Sequence, residues 1–420
     1  MDLNDTPDLA EHRARVRAWL EAHKAEAPEQ GSSRPAQAGS PTYIDARRAW
    51  QAKLTEAGLN GVTWPKAYGG QGLGPLNQVV VNQEITAAGV PGILDVIGVG
   101  MLGPTIIAHG TEEQKETHLL PMLRGDEVWC QLFSEPAAGS DLAAIQTRAR
   151  RTEDGWVLSG QKVWTTNAQF AAYGLLLART DADVPKHKGL TMFIVPMDAP
   201  GVTVRPLRQI SGDAHFNEVF LDDVPLAADA TVGPVNGGWG VAMTTLLFER
   251  VTIGLGGEGF GWRADRFAKA LLTDPAARHD REVRHRFGEL ATEFLALRFT
   301  GFRMLTTLER GGIPGPEGGL SKVTTIRAAI EAGELLTDTL GPDALRMDED
   351  AFGRLVADLP GLKSAGGTEE ILRNMVGERV LGLPPEPRLD KTVPFSELRA
   401  REKEAAAANG AGAGATRSVA

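Results

Sequence analysis

The chain has 420 residues, 42% of them hydrophobic and 23% charged, which is enough apolar material for more than one packed unit. Its formal net charge of −10 gives an average field that attracts neither nucleic acid nor an anionic membrane, so neither is expected as a partner. The one cysteine, Cys130, excludes an intramolecular disulfide and a thiolate metal cluster. The acidic opening Met1-Asp2-Leu3-Asn4-Asp5 lacks the basic-then-apolar order of a targeting signal, and a cytoplasmic location is expected.

From Pro7 to Ala27 the residues Leu9, Val16, Trp19 and Leu20 recur at helical spacing among Glu, Arg and Lys, which predicts an amphipathic helix. Gly31 to Pro41 reads as a loop, and a second helix is expected from Tyr43 to Gly58, where glycine ends it. After a turn region from Trp64 to Gly74 come Leu76 to Ala88 and an apolar stretch reaching Ala108. Asp95 and several Gly and Pro interrupt that stretch, so it reads as a buried helical region and not a bilayer span. Thr111 is placed to cap a helix beginning at Glu112.

The pattern changes at Glu127. Trp156 to Gly160, Gly174 to Arg179, Leu190 to Met197, Val202 to Leu207 and Glu218 to Leu221 are short apolar runs separated by Gly, Pro and Asp, the spacing of an antiparallel β domain. Gly237-Gly238 then leads into helical periodicity over Trp239 to Phe260, Arg263 to Leu272, His285 to Glu309, Leu320 to Leu340 and Glu369 to Val380. The expected class is α+β. It comprises a helical domain over 1–125, a β domain over 126–235, a four-helix bundle over 236–395 and a tail over 396–420, whose Ala and Gly run cannot bury enough surface to order itself.

The segment from Cys130 to Asn167 carries the chemistry. Its first half reads as a strand ending in a loop with Ser134, Gly139 and Ser140; its second half puts Trp164 and Thr166 on a strand, where a period of two gives them one face. An aromatic wall, hydroxyls and close backbone approach are what a planar, electron-poor ring requires, and a flavin meets that description. Either half alone reads as a buried Trp in a sheet or a polar loop; the two together do not.

Both halves resemble the flavin-binding core of the acyl-CoA dehydrogenase family. The resemblance extends to Trp64-Pro65-Lys66-Ala67-Tyr68-Gly69-Gly70, Gly110-Thr111-Glu112-Glu113-Gln114-Lys115, Phe216-Asn217-Glu218-Val219, Gly367-Thr368-Glu369-Glu370-Ile371 and Glu378-Arg379-Val380-Leu381-Gly382, in the family's order. It implies a three-domain fold, FAD as cofactor, an acyl-CoA substrate, an electron-transferring flavoprotein as acceptor, and a homotetramer or an α2β2 heterotetramer. The flavin contacts it implies are Gln131, Phe133, Ser134, Gly139, Ser140, Trp164, Thr166, Thr368 and Glu370, the last toward the adenine half. The substrate contacts it implies are Ser140, Arg250, Gly366 and Gly367.

The implied reaction is α,β-dehydrogenation of a thioester, with a base taking the α-proton. Much of the family carries this base as the Glu of a Tyr-Glu-Gly-Thr motif, but here the positions read Ala365-Gly366-Gly367-Thr368. Other branches place it in a Leu-x-x-Glu-Arg pattern, which Leu246-Leu247-Phe248-Glu249-Arg250 matches. Glu249 is therefore the expected base, in an apolar setting that would raise its pKa; the bland alternative is a surface Glu paired with Lys or Arg. The Gly366 amide remains available to bind the thioester carbonyl. Small residues at 365 and 366, with Gly254, Gly256, Gly257, Gly259 and Gly261, predict room for a wide acyl group or, equally, close helix packing.

Other patterns carry less. Gly254-Leu255-Gly256-Gly257-Glu258-Gly259 follows a helical stretch and not a strand, so it is not read as a dinucleotide fingerprint. Arg286-Phe287-Gly288 has the wrong spacing for the family's contact to a neighbour's pyrophosphate, and Leu340-Gly341-Pro342 replaces a Leu-Gly-Gly with a residue lacking an N–H. No metal-ligand spacing occurs among the histidines. A flavoenzyme acting on a non-CoA substrate or on oxygen, and a structural subunit completing a partner's site, stand as competing readings.

Overall fold

The computed structural model describes residues 5–28, 41–255, 268–269, 271, 274–310, 312, 318–347 and 352–404. The N-terminal domain is built from α1 (Pro7–His23), α2 (Pro41–Glu56), α3 (Pro75–Ala88), α4 (Gly103–His109) and α5 (Glu112–Arg124). Thr6 caps α1 by accepting the Leu9 amide, and Thr111 and Gln114 form a reciprocal capping box on α5. Val16, Leu20, Trp50, Leu54 and Val81 bury the apolar stripes of α1, α2 and α3 against one another.

The apolar stretch ending at Ala108 is not one helical region. Gly89 ends α3 in a left-handed conformation (φ 69°), and residues 90–95 are not helical. Asp95 lies buried there, its Oδ1 accepting the Gly98 amide at 2.7 Å and its Oδ2 the Trp129 amide at 3.0 Å, which fastens the helical domain to the first strand. Gly103 opens α4 directly over the Trp64 indole. A Cβ there would lie 2.2 Å from the ring, so only glycine permits the approach.

The β domain contains β1 (Trp129–Leu132), β2 (Arg148–Arg151), β3 (Gly155–Thr166), β4 (Tyr173–Arg179), β5 (Leu190–Pro196), β6 (Val202–Leu207), β7 (Phe216–Ala227) and β8 (Thr231–Val232). The sheet runs β6-β7-β3-β2-β4-β5-β8, with β1 added beside β4. The sheet is mainly antiparallel, as expected, with two parallel pairings, since β1 and β2 both run parallel to β4. The chain crosses over between these strands instead of turning back in a hairpin. One face packs on the helices through Leu102, Ile106, Leu119, Leu175, Met192 and Val241; the other is closed by Cys130, Trp156, Phe193 and Val219.

The C-terminal domain holds α6 (Gly238–Leu255), α7 (Pro275–His279), α8 (Arg281–Glu309), α9 (Gly318–Leu340), α10 (Gly353–Asp358) and α11 (Glu369–Arg379). Leu290 of α8 and Ala328, Ala329, Leu335 and Leu336 of α9 share its core. Most of the helix expected from Arg263 to Leu272, and the Gly256 to Gly261 run, lie outside the described residues.

Residues 396–404 were expected to belong to the tail, but residues 395–404 are helical. Phe395 is buried beneath the Arg179 guanidinium, 3.7 Å from ring centroid to Cζ, and the amides of Phe395 and Ser396 donate to Val184 O and Ala182 O at 2.9 and 2.8 Å. One aromatic anchor thus orders a segment whose composition reads as solvent-loving. Residues 405–420 lie outside the described residues, and no helix among the described residues is long and apolar enough to cross a membrane.

Candidate active site

The loop after β1 is shaped by a buried ion pair. Lys162 of β3 has no solvent-exposed side-chain surface, and its Nζ donates to Glu135 Oε1 at 2.9 Å, Phe133 O at 3.0 Å and Leu177 O at 2.8 Å. Glu135 in turn accepts the amides of Gln146 (2.6 Å) and Thr147 (2.9 Å), closing the loop that contains Gly139 and Ser140. Burial alone would raise the Glu135 carboxyl, but the Lys162 charge and these donors hold it below its ordinary value. Burial drives the Lys162 ammonium down to about 8 against the pull of Glu135. Every donor of the buried ammonium is matched, the condition under which such a pair is tolerated.

The Phe133 carbonyl held by Lys162 and the Ser134 amide belong to one planar peptide, so fixing the former aims the latter the opposite way. Ser134 O accepts the Val163 amide at 2.9 Å, which brings this loop against the end of β3. There the pairing with β7 slips between Lys162 and Thr165, and Trp164 takes a left-handed φ of 59°. Simple period-two alternation, from which Trp164 and Thr166 were assigned to one face, is therefore interrupted by a bulge. The bulge turns the indole outward: Trp164 is 60% exposed, while Thr165 is buried and Thr166 half-buried. Phe216 meets the indole edge-on at 5.9 Å.

An outward-facing indole, the hydroxyls of Ser134, Ser140 and Thr166, and open space beside Gly139 form a donor set and stacking surface that fit a flavin. The Phe133 ring is in the core, so this residue can face a cofactor only through its backbone.

A second cluster adjoins this surface through β1. Gln131, three residues before Ser134, lies beside the carboxylate of Glu249 on α6 and favours its charged form. Lys322 of α9 also acts on Glu249, and its Nζ donates to the carbonyls of Ala365 and Gly367, the latter at 2.6 Å. Burial raises the Glu249 pKa, and Lys322, Gln131 and Arg250 oppose that rise. The setting is thus less apolar than the sequence neighbours Leu246, Phe248 and Val251 imply. Burial lowers Lys322 to about 8, countered by Glu249.

Gly366 and Gly367 have left-handed φ values of 64° and 90°, conformations in which a Glu at position 366 would be strained. Thr368 caps α11 by accepting the Ile371 amide at 3.3 Å; Glu369 pairs with Arg373, and Glu370 is exposed. Arg250 turns toward α11, its Nη1 3.5 Å from Met375 Sδ. Arg286 is ion-paired with Asp338 at 2.8 Å, and Gly341, at φ 57°, terminates α9. Sequence reasoning did not single out Lys162, Glu135 or Lys322; their signal was a Lys or Glu in otherwise apolar or glycine-rich context, which sequence alone does not distinguish from surface charge.

Three family models match the chain in succession: acyl-CoA dehydrogenase, N-terminal domain at residues 6–126, middle domain at 130–224 and C-terminal domain at 236–381. The chain belongs to the acyl-CoA dehydrogenase family. Its members are FAD-dependent oxidoreductases. The chain is similar to acyl-CoA dehydrogenase IpdE1 of Mycobacterium tuberculosis, with 39% identity over 386 residues, covering 90% of this chain and 99% of the relative. Among solved structures it is similar to the Tcur3481-Tcur3483 steroid ACAD (TM-score 0.80, 30% identity, 92% and 100% coverage). It is also similar to the ChsE4-ChsE5 complex of M. tuberculosis (TM-score 0.75, 29% identity, 92% and 100% coverage).

Proposed function

We propose that this acyl-CoA dehydrogenase family member oxidises a wide, ring-bearing or branched acyl-CoA, with Glu249 as the base that removes the α-proton. The observation that carries the assignment is the placement of Glu249 between Gln131 and Lys322, beside the loop in which Gly366 leaves no carboxylate. FAD, when bound, supplies the acceptor for the hydride leaving the β-carbon. Trp164 would carry the face of the ring system and Ser134, Ser140 and Thr166 its polar edge. Thr368 and Glu370 would meet the rest of the cofactor. The Gly366 and Gly367 backbone would hold the thioester carbonyl, and a carboxylate oxygen of Glu249 would take the α-proton.

Ala365 and Gly366 remove side-chain bulk beside the acyl group, and the similarity to the Tcur3481-Tcur3483 steroid ACAD supports a ring-bearing substrate. The protein is proposed to work in the cytoplasm and to pass electrons to an electron-transferring flavoprotein. An α2β2 assembly is favoured over a homotetramer, because both similar structures are named as pairs of chains and Pro342 lacks an N–H at an expected inter-subunit contact. Anaerobic titration of the yellow protein with a panel of acyl-CoA thioesters tests the reading. Bleaching by bulky thioesters supports it. Bleaching by none, alone or with a co-expressed partner, overturns it.

A further inference from the structure

Lys322 has no assigned part in the reaction, yet it is the side chain that ties α9 to the loop over residues 365–367. The amides of Ser364 and Ala365 are already committed to Gly361 O, at 3.0 and 3.1 Å. Among the described residues the Gly366 amide has no backbone acceptor. Two consecutive glycines at left-handed φ give this loop wide conformational freedom, so its amides point in a fixed direction only if something holds the peptide planes.

We propose that Lys322 is a positioning residue that aims and polarises the Gly366 N–H as an oxyanion donor. The carbonyl of Ala365 and the amide of Gly366 are the two ends of one planar trans peptide and point in opposite directions. An ammonium seated on the carbonyl therefore fixes the N–H on the far side. Its charge draws electron density through the peptide, which makes that N–H a stronger donor. The second bond, to Gly367 O, holds the next plane but one, so the glycine pair cannot flip as a unit. The donor is thereby set before substrate arrives, the condition under which such a group stabilises developing charge.

This inference rests on the proposed dehydrogenase reading. Its test compares two ligands of the FAD-loaded protein: a saturated acyl-CoA thioester and the thioether analogue of the same chain, which lacks the carbonyl oxygen. Hydrogen exchange of the 364–368 segment is followed in the protein without ligand. Lys322→Met should lose about tenfold in affinity for the thioester with little change for the thioether, as expected for one charge-strengthened hydrogen bond. Single-turnover flavin reduction should fall by about a hundredfold, and exchange should speed up at 364–368. Lys322→Arg, which keeps a cationic donor, should restore part of each.

Equal losses for the two ligands, or a Lys322→Met protein that keeps its full thioester preference, overturns the role of Lys322 while leaving the dehydrogenase reading intact. Where Lys322→Met binds neither ligand, Lys322→Arg decides, since a recovered thioester preference supports the role and its absence refutes it. Wild-type protein that no acyl-CoA reduces overturns the functional reading and this role with it.

Discussion

The Gln131 side chain on β1 lies beside the Glu249 carboxylate on α6 and favours its charged form, linking the strand that leads into the Ser134 loop to the helix that carries the expected base. Glu249→Gln keeps the shape and removes the basicity. FAD content and acyl-CoA affinity should stay near wild type while flavin reduction in single-turnover mixing slows by about two orders of magnitude or more. Reduction at close to the normal rate would return the search to Glu369 and Glu370, whose Gln variants are expected to be mild.

The same contact sets a pH dependence. The base works as the carboxylate, and burial raises its pKa, so flavin reduction should fall as pH drops through a midpoint above the ordinary carboxylate range. Lys322 from α9 and Arg250 on its own helix favour the charged form, as does Gln131. Gln131→Leu removes a donor to that form, and the midpoint of the pH profile should move further up. A shift downward would show that Gln131 does not act on Glu249.

At the ion pair, Lys162→Met strands a buried Glu135 and should cost about 3–5 kcal/mol in denaturant unfolding, with loss of FAD retention. Lys162→Met combined with Glu135→Gln should be clearly milder, because no unpaired charge is left inside. The sign of the acid response follows from the lowered Glu135 pKa. Its stabilisation is present above the unfolded-state value of about 4.5 and is lost as pH falls through the lower folded value, so the double variant should lose that part of the acid sensitivity.

Trp164 sits at left-handed φ with most of its surface exposed, so its side chain contributes little to the core while its backbone is strained. Trp164→Ala and Trp164→Gly should both bind FAD poorly. The Gly variant should unfold about 1 kcal/mol later than the Ala variant in the cofactor-free protein, because glycine tolerates that φ. Equal stability would mean that the bulge relaxes once the indole is gone.

Much of this was legible in the sequence, for reasons that differ by residue. The order helical, β, helical followed from periodicity, and the family followed from motifs in a fixed order along the chain, such as those that contain Ser140 and Trp164. The bulge at Trp164 was not legible, since alternation counts residues and does not see one inserted into the ladder. Lys162 and Lys322 were missed because their roles depend on carbonyls supplied by distant segments, Leu177 for one and Ala365 for the other. Phe395 was read only as the last residue of the bundle, because only its partner Arg179, far away in the chain, makes it an anchor.

Lys186 bonds Asp141 of the Gly139-Ser140-Asp141 loop and Asp390 near the end of the described chain, at 2.7 and 2.8 Å. A chain growing on the ribosome therefore exposes all strands of the sheet long before the residues that close this latch have been made. This link forms only once residue 390 has been made, and a nascent β domain waits, incompletely braced, for residues 390–395. A chain terminated before residue 390 would therefore carry the Gly139-Ser140-Asp141 loop without this brace.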